Sequence, residues 1–209
     1  MIKVSVSVLS KLSDLESTIK QLSNTTVDYI HIDVMDGIYV NNTAFSNNEK
    51  DIVTNLSNKL LDVHLMVKNP EEDINYFINK KADIITIHKD IDNFYVLAEK
   101  IKHAGIKLGI AVSYNDDIKD YSKYLEYADL FLVMSVEEGY GGQEFDQKAL
   151  DKVRYLIKNR KDNKYLISID GGINNTNKDA CILAGADILV AGSYVTSSEN
   201  YEKQISLLK

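Results

Sequence analysis

Polar and apolar residues alternate along Tyr29-Ile30-His31-Ile32-Asp33-Val34-Met35. This is the period of a β-strand, whose successive side chains point to opposite faces. His31, Asp33 and Met35 share one face, and Ile30, Ile32 and Val34 the other. The same reading predicts strands over 3–8, 28–35, 60–67, 83–88, 107–112, 129–134, 165–170 and 187–191. Apolar residues at helical spacing predict helices over 10–22, 49–58, 94–103, 117–125, 146–159 and 175–184, and a closing helix over 199–208. One further helix is opened by Asn69-Pro70-Glu71, where the missing proline N–H costs little. Gly105 and Gly185 mark two helix ends, and 37–48, rich in asparagine, reads as a loop.

Eight strands alternating with eight helices predict an α/β fold, a parallel (β/α)8 TIM barrel, as a single domain over 1–209. An open doubly wound sheet is the alternative. Against it, no Gly-x-Gly-x-x-Gly follows the first strand, and polar residues sit at strand ends around the whole chain.

Composition narrows the setting. The 209 residues are 44% hydrophobic and 26% charged, as in globular proteins with a buried core. A net charge of -7 argues against a nucleic-acid or anionic-membrane partner. The lone Cys181 excludes an intrachain disulfide framework, and neither an apolar run of membrane-spanning length nor a signal peptide is visible. A cytoplasmic protein is expected. With only one proline, turns must be built from Asn, Asp and Gly.

Candidate chemistry gathers at the C-terminal strand ends, the active face of such barrels. Ser7, His31, Asp33, His64, His88, Ser113, Ser135 and Asp170 all fall there, with Met35, Met66 and Met134 in equivalent late positions. His31, Asp33, His64 and Asp170 form a two-imidazole, two-carboxylate set without thiolate, suited to one divalent metal ion: Zn, Fe or Mn. Taken singly, His64 or His88 reads as a core histidine, and each methionine as gap filler. His103 reads as a helix-end or surface residue and Cys181 as core. Three glycine-rich stretches follow the last three strands: Gly139-Tyr140-Gly141-Gly142-Gln143, Asp170-Gly171-Gly172-Ile173-Asn174 and Ala191-Gly192-Ser193. Exposed N–H groups in such loops bind anions, and barrels often hold phosphate after strands seven and eight. No lysine or arginine lies in these loops, so a phosphate there would rest on backbone donors.

Together the motifs 31–37, 62–67, 133–136, 141–145, 170–174 and 191–193 resemble those of the ribulose-phosphate 3-epimerases, in the same order over nearly the whole chain. The resemblance implies inversion at C3 of D-ribulose 5-phosphate to give D-xylulose 5-phosphate, with a divalent metal. It implies metal ligands at His31, Asp33, His64 and Asp170, with Asp33 and Asp170 also the acid/base pair. Ser7, Met35, Met66, Met134, Gly141, Gly142, Gln143, Glu144, Gly171, Gly172, Gly192 and Ser193 would line the substrate and phosphate pocket beside His31 and His64. A small-molecule ketose phosphate partner and a homo-oligomer are expected. The chain departs from the family where Val6, Asn41, Tyr114 and Glu138 replace usual prolines. These loops shape and close over the sugar, so a related substrate such as D-allulose 6-phosphate is an alternative, as is a sugar-phosphate-binding protein without catalysis. Glu137-Glu138 reads as solvated loop charge, and no inward lysine suggests a Schiff-base aldolase.

Overall fold

A computed structural model describes residues 2–209. Eight parallel strands close into a barrel: β1 (Lys3–Ser7), β2 (Tyr29–Asp36), β4 (Leu60–Met66), β5 (Ile84–His88), β6 (Lys107–Val112), β7 (Leu130–Met134), β8 (Leu166–Asp170) and β9 (Ile188–Ala191). β1 closes it by pairing with both β2 and β9. The expected TIM barrel is therefore the observed fold. A ninth strand, β3 (Thr43–Ala44), lies within the expected loop and pairs antiparallel with the end of β2, Met35 against Ala44 and Asp36 against Thr43.

The helices around it are α1 (Leu15–Ser23), α2 (Asn47–Leu56), α3 (Glu71–Asn79), α4 (Phe94–His103), α5 (Ala149–Asn159), α6 (Lys178–Ala184), the short α7 (Ser193–Thr196) and α8 (Tyr201–Leu208). Outward strand residues such as Ile30, Ile32 and Val34 are buried between barrel and helices. Each such side chain contributes about 1.5–3 kcal/mol relative to exposure. Local chemistry sets the helix ends. Ser46 and Glu49 form a reciprocal capping box at α2. Gly185, at φ 114°, ends α6 where a Cβ would lie 2.2 Å from Ile157 Cγ1.

Two expected α-helices are different. The helix expected over 10–22 is a 3-10 segment, Leu9–Asp14, followed by α1, because Lys11 is non-helical and Ser10 Oγ is drawn 2.9 Å from Thr196 Oγ1. The helix expected over 117–125 is a 3-10 turn, Ile118–Tyr124. There Tyr121 and Tyr124 are buried three residues apart, which a three-residue turn aligns.

Aspartates set the register at the opposite end of the barrel from the candidate site. Asp28, Asp83, Asp129 and Asp187, read above as strand residues, precede β2, β5, β7 and β9. Each carboxylate accepts a backbone N–H of the neighbouring strand, from Val4, Leu61, Leu108 and Ile167, at 2.8–3.0 Å. Such charge-assisted bonds contribute about 1.5–3 kcal/mol each. They also fix which side chains stand level inside the barrel: Ser7 beside His31, Asp33 beside His64, Met35 beside Met66, Met134 beside Asp170. Tyr29, Ile84, Leu130, Leu132, Ile188 and Val190 pack with Met134 into a second buried apolar cluster.

Candidate metal centre and active site

Alternation along β2 and β4 points His31, Asp33, Asp62 and His64 into the barrel, and their register sets imidazole against carboxylate twice. Asp33 Oδ1 lies 3.2 Å from His31 Nε2 and 3.3 Å from His64 Nδ1. Asp170 Oδ2, from the end of β8, lies 3.8 Å from His31 Nε2. One ligand atom from each of His31, Asp33, His64 and Asp170 falls within 4.8 Å of the others. Metal–ligand bonds near 2.1 Å would place neighbouring ligand atoms about 3–3.5 Å apart. Asp33 stands at that spacing from both histidines and Asp170 slightly beyond it, and two imidazoles with two carboxylates are a donor set that fits a divalent metal ion.

Electrostatics separates the two aspartates. Burial alone would raise Asp33, but His31 and His64 outweigh it and hold its carboxyl far below the usual range. Ser7 also donates to Asp33 Oδ2 at 2.7 Å. Burial pushes Asp170 up to about 6, His31 opposing this and the Asp33 charge adding to it. Among the described residues no hydrogen bond reaches the Asp170 carboxylate, whereas its backbone oxygen accepts from Ser135. Burial would lower His31, but Asp33 and Asp62 raise it well above its ordinary value.

Above this layer lies a cavity of about 580 Å³. It is lined by Ser7, Asp33, Met35, Met66, Met134 and Asp170, and by Gly141, Gly142, Gln143, Glu144, Gly171, Gly172, Gly192 and Ser193. His31 and His64 are fully buried beneath it and do not line it. Sequence reading did not single out Ser10, Tyr194 and Ser197, which also line it. Only closure of the barrel brings them to the mouth.

The glycines serve packing as well as access. A Cβ on Gly171 would lie 2.5 Å from Ser135 Oγ, and one on Gly172 2.4 Å from the Phe145 N, so the loop after β8 seats on the loop after β7. Gln143 turns its amide onto the carbonyls of Glu137 and Tyr140, holding its own loop. Asn42 donates to the Gly139 carbonyl and the Tyr140 hydroxyl to that of Asn41, tying the loop after β2 to the loop after β7. Tyr114 is anchored by its hydroxyl, which donates to Asp146. Glu138 accepts from the Tyr114 N–H, and so does more than carry solvated charge.

Asp62 is a residue the sequence reading passed over. It is 1% exposed, accepts from Ser5 Oγ at 2.9 Å, and lies 2.8 Å from His31 Nδ1. The available signal was its position two residues before His64 on the same strand face. His88 is likewise buried, with Nε2 2.8 Å from His64 Nε2. His103 is on the surface and Cys181 is buried in the core, as expected.

Comparison with known proteins places this geometry. The chain is 34% identical over 215 residues to a ribulose-phosphate 3-epimerase of Bacillus subtilis, covering 100% of this chain and 99% of that protein. It is 36% identical over 212 residues to the ribulose-phosphate 3-epimerase of Helicobacter pylori, covering 99% and 96%. Among solved structures, 3-hexulose-6-phosphate synthase from Salmonella typhimurium superposes with a TM-score of 0.75 at 18% identity, covering 99% of this chain and 96% of that one; this is a likeness of fold. The Ribulose-phosphate 3 epimerase family profile matches residues 3–196, and the chain belongs to that family of isomerases.

Proposed function

We propose that this enzyme interconverts D-ribulose 5-phosphate and D-xylulose 5-phosphate by two-aspartate proton transfer. The observation that carries this reading is the contrast between Asp33 and Asp170 in one interior layer. One carboxyl is held as an anion, while the other keeps a proton to an unusually high pH. Epimerisation beside a ketone requires a base to take the C3 proton on one face and an acid to return one on the other. Asp33 and Asp170 fill these roles from β2 and β8, exchanging them with the direction of reaction.

His31, Asp33, His64 and Asp170 would hold one divalent cation, Zn, Fe or Mn. When bound, it supplies Lewis-acid stabilisation for the negative charge of the enediolate between the two proton transfers. Met35, Met66 and Met134 form apolar walls that limit water around that charge. Ser7 orients Asp33. The phosphate rests on backbone N–H groups at Gly171-Gly172 and Gly192-Ser193, with Gly141, Gly142, Gln143 and Glu144 completing the pocket wall. A cytoplasmic setting and a homo-oligomer belong to the same proposal.

The test offers a panel of ketose phosphates, D-allulose 6-phosphate included, to metal-reconstituted protein in deuterated water. Deuterium entering C3 of ribulose 5-phosphate fastest is the expected result. Preference for the hexulose phosphate would reassign the substrate, and tight binding without exchange would make the protein a binder only.

A further inference from the structure

Two histidines of the cluster are braced in different ways. His31 Nδ1 meets the Asp62 carboxylate, an acceptor only, so the proton belongs on Nδ1 and Nε2 faces the site. His64 meets another imidazole. Its Nε2 lies 2.8 Å from His88 Nε2, and two ring nitrogens at that distance share one hydrogen between them. His88 Nδ1 in turn lies 3.1 Å from Ser113 Oγ, which can donate or accept.

This row has two self-consistent settings, each with one proton per ring. In the first, Ser113 donates to His88 Nδ1, His88 Nε2–H to His64 Nε2, and His64 Nδ1–H to Asp33 Oδ1 at 3.3 Å. In the second the first two bonds reverse and the third is given up, since the Asp33 carboxylate has no hydrogen to donate: His64 Nε2–H donates to His88, His88 Nδ1–H donates to Ser113, and His64 Nδ1 turns a lone pair into the site. Only the second lets His64 ligate a cation. Proton number is the same in both. The proton leaving His64 Nδ1 goes to water in the cavity, and half-exposed Ser113 recovers one from solvent. His88 is closed over by the Tyr39 ring, at 4.7 Å between centroids, and among the described residues its ring nitrogens meet His64 and Ser113 and no carboxylate.

We propose that His88, backed by Ser113, is a positioning residue that selects the His64 tautomer and so strengthens the hold of the site on a divalent cation. This rests on the cation reading above. Partners of metal-bound histidines typically change affinity by about 10–100-fold when removed.

The experiment measures Zn²⁺ affinity of the full chain by competition with a chromophoric chelator, for wild type, His64→Ala, His88→Phe and His88→Gln. Phenylalanine keeps a ring under Tyr39 but cannot accept from His64, while the glutamine carbonyl can. His88→Phe should bind Zn²⁺ about 10–100-fold more weakly, with His88→Gln recovering part of the loss. A purely structural role would not rank the two in that order. His88→Phe within twofold of wild type, or both variants equally weakened, overturns the inference. His64→Ala binding as well as wild type overturns the cation reading and the inference with it. Should His88→Phe fail to fold, ¹⁵N NMR of the Zn²⁺-loaded wild type decides: a hydrogen on His64 Nε2 supports the proposal, and one on Nδ1 overturns it.

Discussion

The two sides of the barrel mouth are built from different materials. On the side of β2, β4 and β5, side chains carry the charge. His31, Asp33, Asp62, His64 and His88 are all buried within one hydrogen-bonded network that reaches Ser5, Ser7 and Ser113. On the side of β7, β8 and β9, Asp170 follows Met134 and the glycine-rich loops, and among the described residues no side chain hydrogen-bonds its carboxylate. The first side surrounds Asp33 with hydrogen-bond partners and holds it as an anion. The second gives the Asp170 carboxylate no hydrogen-bonding partner among the described residues, and burial keeps it protonated to a higher pH. Two chemically identical side chains thus acquire different proton affinities from their neighbours alone, as an acid/base pair requires.

The sharpest way to break this comparison is to neutralise either aspartate. Asp33→Asn and Asp170→Asn should each lower turnover by about 10²–10⁴ in both directions, the usual range for such groups. Metal content is measured on each variant, and a metal-loaded variant with near-normal epimerisation would remove the two-base mechanism. A metal-loaded Asp170→Asn that still exchanges the C3 proton of one epimer would agree with it.

Next in size is the cation. Metal analysis of purified protein should find about one divalent ion per chain, and His64→Ala should lose most of it. Full occupancy in that variant would contradict the assignment. On the opposite side, Gly192→Val should raise KM for a phosphorylated sugar about tenfold or more while leaving cation content unchanged. A Cβ at Gly192 meets Ser7 only at ordinary contact, 3.5 Å, so the backbone accepts the added side chain at the pocket wall. An unchanged KM would move the phosphate elsewhere.

The smallest effect concerns stability. Asp170 in the folded chain keeps its proton to about pH 6, above its unfolded value. The folded state therefore binds that proton more tightly, and this contribution grows as pH falls from above 6 to below 4. In chelator-treated protein, Asp170→Asn should melt a few degrees above wild type near pH 7.5, with the gap closing toward pH 4. A chain of this size shifts by about 2–4 °C per kcal/mol. A gap that widens on acidification would contradict the raised affinity.

Much of this was legible in the residues themselves. Strand alternation placed His31 with Asp33, and the eightfold rhythm predicted the barrel whose closure the structure displays. Helix ends and types were less legible. Ser10 is pulled into a 3-10 turn by Thr196, 186 residues away, and periodicity carries no information about so distant a partner. Asp28, Asp83, Asp129 and Asp187 looked like strand residues because their role is to accept an N–H from a different strand.

The sequence by itself determined which residues share a face and which strand ends carry chemistry, because side-chain direction along a strand follows from backbone geometry alone. Only the tertiary structure decided which of those residues touch. The stagger that sets Asp62 under His31, His88 behind His64 and Asp170 within 3.8 Å of His31 comes from pairing and closing eight separate strands. Contacts across a closed barrel depend on that register, which no local pattern encodes.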